Sequence, residues 1–182
     1  MTESFSRQLN ALGAIAISLV LAFAFYSQFA AGELPCPLCL LQRGGFVAVM
    51  FGLLCNVIYG PRTSHYGIML FGALFGAAVA LRQVSLHVIP GTPFYGDPFL
   101  SFHFYTWAFI TFSVIILGTA AMLSFSSQYK EVKHQTLAEM PFLSKLAIGV
   151  VLLVTLMNVL STFAECGPFE CPADPVQYWL FN

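Results

Sequence analysis

Long apolar runs separated by short polar segments dominate the chain. A helix needs about 20 mainly apolar residues to cross a bilayer. Five runs reach about that length, at residues 12–31, 40–59, 66–88, 104–125 and 142–164. Gly60-Pro61 ends the second run and Pro90-Gly91 ends the third. Because no alternation typical of strands competes with these runs, the pattern predicts five membrane-spanning helices.

This pattern predicts an all-α integral membrane protein, a helical bundle of about five transmembrane helices with a four-helix core. The length of 182 residues suits a single membrane domain over residues 1–182, with residues 165–182 as an external tail. The first run is longer than the apolar part of a secretory signal, and further spans follow it. We therefore expect it to be retained as the first helix.

Composition supports the bilayer as the solvent of this chain. Only 8% of its residues are charged and 58% are hydrophobic, whereas soluble domains carry roughly 25% charged residues. The mean hydropathy of +0.81 agrees. A net charge of −1 provides no basic surface, so we expect the lipid bilayer and no nucleic acid among the partners.

The positive charges predict an orientation, because Lys and Arg concentrate in cytoplasmic loops. With a cytoplasmic N-terminus, five of the seven Lys and Arg residues lie in or beside cytoplasmic segments: Arg7, Arg62, Lys130, Lys133 and Lys145. Arg43 and Arg82 lie near the outer side. Five spans then place the C-terminus outside.

The same parity places four of the five cysteines outside the membrane. The outer segments are residues 32–39, residues 89–103 and the tail after residue 164. Cys36 and Cys39 lie in the first, and Cys166 and Cys171 lie in the third. Disulfides persist on the outer side of cell membranes. Cys55 lies alone in the second run, and we interpret it as a packed thiol.

The segment Leu34-Pro35-Cys36-Pro37-Leu38-Cys39 is the strongest chemical signal. Cys39 opens the second run, where unpaired backbone N–H groups of a helix start favour a thiolate. Arg43 adds positive charge one turn later. Redox chemistry explains this arrangement best. A structural disulfide, or half of a zinc site completed by the tail cysteines, also fits the residue count.

Cys166 and Cys171 form a second pair in a tail rich in Gly and Pro. We interpret them as a mobile disulfide that exchanges with the first pair, while a local structural bridge is the alternative. By chain order we expect Cys171 to contact Cys36, which leaves Cys166 as the outer cysteine of this pair. Glu165 begins this acidic tail, which we expect to remain solvated.

Three further residues are candidates for an electron-acceptor site within the membrane. Arg43 and Arg82 are charges near the outer boundary, where an intramembrane charge is a functional hypothesis by default. A guanidinium stabilises negative charge developing on a carbonyl oxygen, such as that of a quinone. His87 ends the third run near the same depth and is a further candidate donor. The aromatic residues of segment 92–107 are typical of an interfacial belt.

The segment from Leu34 to Arg43 resembles the active segment of the disulfide bond formation protein B (DsbB) family. That family carries a CxxC after its first span and an arginine four residues beyond the second cysteine, positions that Cys36, Cys39 and Arg43 match. The resemblance extends over about residues 12–107. It points to a branch with a fifth span and its second cysteine pair in the C-terminal tail.

The resemblance implies a quinone-dependent protein-disulfide oxidoreductase of the bacterial inner membrane, with a cytoplasmic N-terminus and a periplasmic C-terminus. Such a protein reoxidises a soluble periplasmic thioredoxin-like thiol oxidase of the DsbA type. Its electrons pass through two cysteine pairs, here Cys36/Cys39 and Cys166/Cys171, to membrane quinone, either ubiquinone or menaquinone. Arg43, and with it Arg82 and His87, are the expected quinone-binding residues.

Two features of the chain depart from the family pattern. The best-known members carry the second pair in the outer loop after the third span, but residues 89–103 contain no cysteine. Gln42 stands where a well-known member has an acidic residue. Two rival functions remain open: a metal-binding membrane protein using four external cysteines, and a quinone reductase of the vitamin K epoxide reductase type.

Overall fold

The structure is a computed structural model that describes residues 2–129 and 135–181, and its long elements are helices. They are α1 (Glu3–Ala30), α2 (Pro37–Tyr59), α3 (Thr63–His87), α4 (Phe104–Leu123) and α5 (Phe142–Cys166). All five are long and apolar enough to cross a membrane. The prediction of an all-α bundle of five membrane-spanning helices is therefore confirmed. Lys130, Lys133 and Asn182, which entered the charge and tail predictions, lie outside the described residues.

The first three helices begin earlier than their apolar runs. Helix α1 starts at Glu3, where the Thr2 side chain accepts a hydrogen bond from the backbone of Phe5. Arg7 therefore lies inside α1, where it is 3% exposed and donates from Nη1 to the carbonyl oxygen of Val57 at 2.6 Å. Helix α2 starts at Pro37 rather than at residue 40. An apolar run marks the part of a helix in lipid, while capping polar residues extend the helix beyond it.

Packing of the helices follows their order along the chain. Helix α1 packs on α2, α2 on α3 and α3 on α4, while α5 packs against α1 and α2. Helices α1 and α4 face each other across a cavity to which both contribute side chains. The first four helices thus surround that cavity, and α5 lies on the outside of α1 and α2.

Glycine residues allow α2, α3 and α4 to approach closely. A Cβ atom on Gly45 of α2 would lie 3.0 Å from the Cα atom of Gly76 in α3. A Cβ atom on Gly76 would lie 2.1 Å from the ring of Phe112 in α4. That ring stacks on Phe46 with centroids 4.0 Å apart. Small residues at helix contacts are a general device of membrane bundles, and here they seat an aromatic pair beneath the cavity.

A buried polar cluster joins helices at the end of the bundle where α1 begins. The Oε1 atom of Gln128 accepts hydrogen bonds from Ser6 at 2.7 Å and from the Tyr66 hydroxyl at 2.9 Å. Asn10 donates to that hydroxyl at 3.1 Å and accepts from Asn56 at 3.0 Å. Such bonds are each worth about 0.6 kcal/mol in a membrane protein. Together they tie α1, α2 and α3 to the connection after α4.

The opposite end, which we call the cysteine end, is formed by residues 31–36, 88–103 and 167–181. These segments bond to one another and to the adjoining helix ends. The Tyr95 hydroxyl donates to the carbonyl oxygen of Leu34 at 2.6 Å. Gln28 of α1 donates to the Tyr178 hydroxyl of the tail at 2.9 Å. The fold thus brings the CxxC segment, the outer loop and the tail to one end of the bundle.

Candidate functional site

The CxxC segment forms the first turn of α2. Cys36 is the N-cap residue, and its Sγ atom accepts a hydrogen bond from the backbone N–H of Cys39 at 3.2 Å. Pro37 occupies the start of the helix, where a missing N–H costs nothing. Cys39 is therefore the third residue of α2 rather than its first. Its sulfur lies in the turn where the helix dipole favours negative charge.

The two thiols differ in their surroundings. Cys36 is buried, whereas Cys39 is half-buried. Hydrogen bonding to the Cys39 side chain, followed by burial, raises the pKa of Cys36 well above the usual value of a cysteine. Cys36 thus keeps its proton in the reduced pair and donates it toward Cys39. Cys39 is the sulfur that carries the negative charge when the pair holds a single proton.

Gln83 of α3 contacts both sulfurs and is itself held by Gln42 of α2. The Nε2 atom of Gln83 lies 3.3 Å from the Sγ atom of Cys36 and 3.5 Å from that of Cys39. The Oε1 atom of Gln83 accepts from Gln42 at 2.6 Å. Gln83 is 1% exposed. This amide pair orients a neutral donor toward both sulfurs, so it stabilises a thiolate without adding a second charge.

Arg43 is fixed by contacts with α1. Its Nη1 atom donates to the Oε1 atom of Gln28 at 2.7 Å, and its Nη2 atom donates to the carbonyl oxygen of Ala24 at 3.3 Å. The guanidinium also lies 4.9 Å from the centroid of the Phe25 ring. Gln28 also connects to α5, because its Nε2 atom donates to the Ser161 hydroxyl at 2.8 Å. Arg43 is thereby held at the level of the cysteines, one turn along α2.

A cavity of about 450 Å³ opens beside Cys39 and Arg43. Its wall is mostly apolar and is built from the first four helices, the segment before α2 and the outer loop. The aromatic residues of the wall are Phe23, Phe46, Tyr95, Phe99, Phe104, Tyr105 and Trp107. Its polar groups include Ser27, Glu33, Gln42, Gln83 and Thr111. An apolar cavity of this size with a few converging polar groups is typical of a small-molecule site.

The outer loop closes this cavity on the cysteine side. Glu33 accepts hydrogen bonds from the Ser27 hydroxyl and from the backbone N–H of Asp97. Burial, with a smaller effect of the nearby cysteines, raises the pKa of Tyr95. Its hydroxyl therefore stays protonated and donates to Leu34. The loop is thus a wall of the cavity, so several of its aromatic residues do more than form an interfacial belt.

The tail cysteines are bonded to each other. A disulfide joins Cys166, the last residue of α5, to Cys171. Cys166 is 5% exposed, whereas Cys171 is half-buried. Gly167 ends the helix with a φ of 62°, and a Cβ atom there would lie 2.6 Å from the Trp179 ring. The tail therefore folds back over the end of α5 with the disulfide inside the turn.

Glu165 contradicts the expectation of a solvated acidic tail. It belongs to the last turn of α5, and it is only 2% exposed. It faces inward because α5 continues to Cys166 and puts residue 165 one turn after the buried Ser161. Glu170 and Asp174 are exposed, as expected.

The other two candidates for acceptor binding lie at the edge of this site. Arg82 is exposed, and neither Arg82 nor His87 is among the described residues that line the cavity. The Nδ1 atom of His87 lies 2.7 Å from the carbonyl oxygen of Pro93, and its ring stacks on Tyr105 at 5.2 Å. His87 is thus connected to the cavity through Tyr105. Roles for Arg82 and His87 in binding remain predictions.

The metal-binding alternative would require the four external cysteines to converge as thiolates. Within residues 2–129 and 135–181, no group of three or more His, Cys, Asp and Glu side chains is arranged to hold a metal ion. The sulfurs of Cys166 and Cys171 are bonded to each other, whereas zinc requires thiolates.

Sequence reasoning missed several residues of this site. Gln28 connects Arg43 to α5 and the tail, yet it is the only amide side chain within the first apolar run. Tyr95 carries the contact between the outer loop and the CxxC segment. An isolated Gln or Glu within a span is a usable signal, because lipid-facing positions rarely carry such residues.

Comparisons with known proteins identify relatives of the first half of the chain. The family model described as "Disulfide bond formation protein DsbB" matches residues 6–96. A protein of Chromobacterium violaceum named "Disulfide bond formation protein B" is 39% identical over 89 residues, which are 47% of this chain and 54% of that protein. A protein of the same name from Aromatoleum aromaticum is 36% identical over 92 residues, 48% of this chain and 55% of that protein.

The chain spans about half the length of the curated relatives that it matches. No solved structure matches. The matched residues contain α1, α2, α3 and part of the outer loop, while α4, α5 and the tail lie beyond them.

Proposed function

Because this chain belongs to the DsbB family, we propose that it is a membrane thiol oxidase that passes electrons from a soluble dithiol protein to membrane quinone. The donor is a periplasmic thioredoxin-like thiol oxidase of the DsbA type. The observation that carries the proposal is the shared wall of one cavity, where Cys39 lies beside Arg43.

The cavity fits a quinone by size and chemistry. Its volume of about 450 Å³ lies within the range of about 300–1,000 Å³ that is usual for small-molecule sites. Its aromatic wall suits an apolar ring, and the side chains of Arg43 and Gln42 supply N–H groups for carbonyl oxygens. When bound, ubiquinone or menaquinone supplies a two-electron, two-proton acceptor. Arg43, Gln42 and the aromatic wall are the residues that would hold it.

Cys39 is the sulfur assigned to the acceptor side. It lines the cavity together with Arg43, whereas Cys36 is not among the described lining residues. Cys36 holds its proton and lies on the other side of the pair, which leaves it to exchange with the second cysteine pair. Gln83 contacts both sulfurs and holds them in position during these exchanges.

The tail disulfide is assigned to the exchange with the soluble partner. Exposure supports the reverse of the order expected from the sequence: the half-buried Cys171 meets the partner, and the buried Cys166 exchanges with Cys36. The contact of Tyr178 with Gln28 supports an exchange between the two pairs, because it holds the tail against the residue that fixes Arg43. The proposal includes a location in the bacterial inner membrane, with the cysteine end facing the periplasm.

Quinone consumption by the purified protein tests this function. The protein, kept with lipid, is mixed with ubiquinone or menaquinone and a reduced DsbA-type protein, and the quinone absorbance is followed. We expect quinone loss in the wild type and in C55S, and none in C36S or C39S. Cys55 is the matched control, because it is a thiol of the same helix that lies outside the cavity. Loss of quinone by C39S at the wild-type rate would contradict the proposal.

A further inference from the structure

Glu165 is a buried acid that the proposed electron path does not use. It is 2% exposed, and both of its carboxylate oxygens lack a hydrogen-bond partner among the described residues. A buried carboxylate without hydrogen bonds is unfavourable unless it is neutral or compensated by a nearby cation. Its presence at the end of α5 therefore requires an explanation.

The surroundings of Glu165 connect it to both cysteine pairs. It precedes Cys166 of the tail disulfide directly. Cys39 and Arg43 of α2 lie within electrostatic range of its carboxyl group. Arg43 is also linked to α5 through Gln28, which bonds Ser161 one turn before Glu165. Glu165 thus lies between the disulfide that meets the partner and the thiol beside the cavity.

The charged and titratable groups around Glu165 come from three elements. Helix α2 contributes Cys39 and Arg43, the outer loop contributes Tyr95, and the tail contributes Tyr178, which acts on Arg43. Helix α1 contributes the uncharged Gln28. Arg43 is the cation of this group, so its single positive charge compensates one negative charge at a time.

The Glu165 carboxylate and the Cys39 thiolate compete for the positive charge of Arg43. The redox state of the Cys36–Cys39 pair determines which of them it compensates. When Cys36 and Cys39 form a disulfide, neither sulfur is charged, and Arg43 compensates the Glu165 carboxylate. When the pair is reduced, Arg43 compensates the Cys39 thiolate, and a carboxylate at Glu165 would add an uncompensated buried charge. Protonation of Glu165 keeps the cluster neutral in both states.

We propose that Glu165 is the proton-holding residue of the Cys36–Cys39 centre, taking up one proton when the pair is reduced and releasing it when the pair is oxidised. This inference rests on the proposed function.

The exchange of electrons between the two pairs balances on this basis. The two tail thiols lose two electrons and two protons as their disulfide forms, and the bond between Cys36 and Cys39 breaks. One of the two protons passes to the Cys36 sulfur, which becomes a thiol, the second passes to Glu165, and Cys39 is left as a thiolate. Reoxidation of Cys36 and Cys39 then releases two electrons and these two protons. A quinone consumes the same number of each when it becomes a quinol.

The pH dependence of the reduction potential of Cys36 and Cys39 tests this inference. The full-length protein is equilibrated in glutathione buffers at several pH values near 7, and the reduced fraction is read by alkylation and peptide mass. Each proton taken up with the two electrons changes the equilibrium constant tenfold per pH unit, which is about 30 mV. We expect about 60 mV per pH unit in the wild type and about 30 mV in E165Q.

E170Q is the matched control, since it makes the same change at an exposed carboxyl of the tail. It should keep the wild-type slope. Equal slopes in the wild type and E165Q would overturn the inference, because Glu165 would then keep one protonation state throughout.

Infrared difference spectra provide a second readout that does not depend on the folding of E165Q. Reduction of the wild-type pair should produce the C=O band of a protonated carboxyl group, and E165D should shift that band. Absence of the band in the wild type would overturn the inference. Neither measurement needs quinone or the partner protein. If the wild type reduces no quinone, the proposed function is refuted. The protonation of Glu165 is still decided by the potential and infrared measurements.

Discussion

At the scale of single residues, the contacts of Arg43 show how a positive charge is held beside Cys36 and Cys39. An arginine in the centre of a spanning helix costs about 2.5–3.5 kcal/mol on insertion scales. Here the guanidinium lies near the cysteine end. Its contacts with Gln28, the Ala24 carbonyl oxygen and the Phe25 ring offset the cost of burying its charge. These contacts fix its position on the cavity wall, where the proposed function assigns it to charge developing in the acceptor.

Replacement of Arg43 should slow quinone reduction more than thiol exchange. Loss of a preorganised cation at an oxyanion typically costs roughly 100-fold in rate, so we expect a change of that order in R43A at limiting quinone. R43K retains the charge but loses the planar fork, and it should lie between R43A and the wild type. Stopped-flow quinone absorbance at several quinone concentrations measures the effect.

Arg62 supplies the control for that substitution. It is an exposed arginine at the start of α3, at the opposite end of the bundle, and R62A should keep wild-type quinone kinetics. Quinone kinetics in R43A that equal those of R62A would remove Arg43 from the acceptor site.

The sequence predicts some residues of this site well and others poorly, for a physical reason. Cys36, Cys39 and Arg43 are recognisable because they lie within eight residues of one another on one helical start. Gln28 and Glu165 act only through contacts between distant helices. Their partners depend on how α1, α2 and α5 pack, which no local spacing encodes.

At the scale of elements, α5 and the tail form a unit beyond the matched family region. The turn after α5 is closed by Gly167 and covered by Trp179, which packs edge-on against Phe163 and Phe169. The disulfide lies within this turn, which is held by aromatic contacts on both sides. The tail can therefore keep its place when the disulfide is reduced.

Removal of the tail disulfide should separate its redox role from its structural role. The C166A/C171A variant loses the stability that closing this short loop provides, about 2 kcal/mol by the chain-entropy estimate. As the aromatic contacts remain, we expect it to fold, and its Cys36–Cys39 pair should still reduce quinone with a small dithiol. We expect it to fail with the DsbA-type protein as donor, and quinone absorbance compares the two donors.

A purely structural bridge predicts the opposite pattern. Lower thermal stability together with undiminished oxidation of the protein donor would end the role of the tail pair as a shuttle. The CxxC would then have to meet the partner directly.

Helix existence is more predictable than helix limits in this chain. The five apolar runs reveal the helices because each must satisfy its backbone in lipid. Their ends depend on capping, as in the Cys36 cap of α2 and the buried Arg7 of α1. The burial of Glu165 follows from the extension of α5 to Cys166, a limit set by the turn at Gly167.

At the scale of the whole molecule, the two ends of the bundle differ in chemistry. The end where α1 begins is fixed by the polar cluster around Gln128, Tyr66 and Asn10. The other end gathers both cysteine pairs and one wall of the cavity. Between them, α1 and α4 are separated by apolar space that an acceptor from the lipid phase can fill. This arrangement suits a protein whose helices are held together by hydrogen bonds at one end and whose cysteines react at the other end.

The orientation that we propose from the positive charges is testable by reporter fusion. We expect a periplasm-dependent reporter fused after Asn182 to be active, and the same reporter in the connection between α2 and α3 to be inactive. The second fusion is the control for insertion and expression. An inactive C-terminal fusion at normal expression would overturn the orientation and place both cysteine pairs on the wrong side of the membrane.

The order in which the two cysteine pairs become reduced tests the electron path most directly. One equivalent of reduced DsbA-type protein is mixed anaerobically with the oxidised, quinone-loaded protein. Samples are quenched in acid, alkylated and read by peptide mass. The account predicts that Cys166 and Cys171 are reduced first and Cys36 and Cys39 next, and that one quinol forms last for each disulfide made in the partner. Reduction of Cys36 and Cys39 while the tail disulfide stays intact, or partner oxidation without quinol, would contradict it.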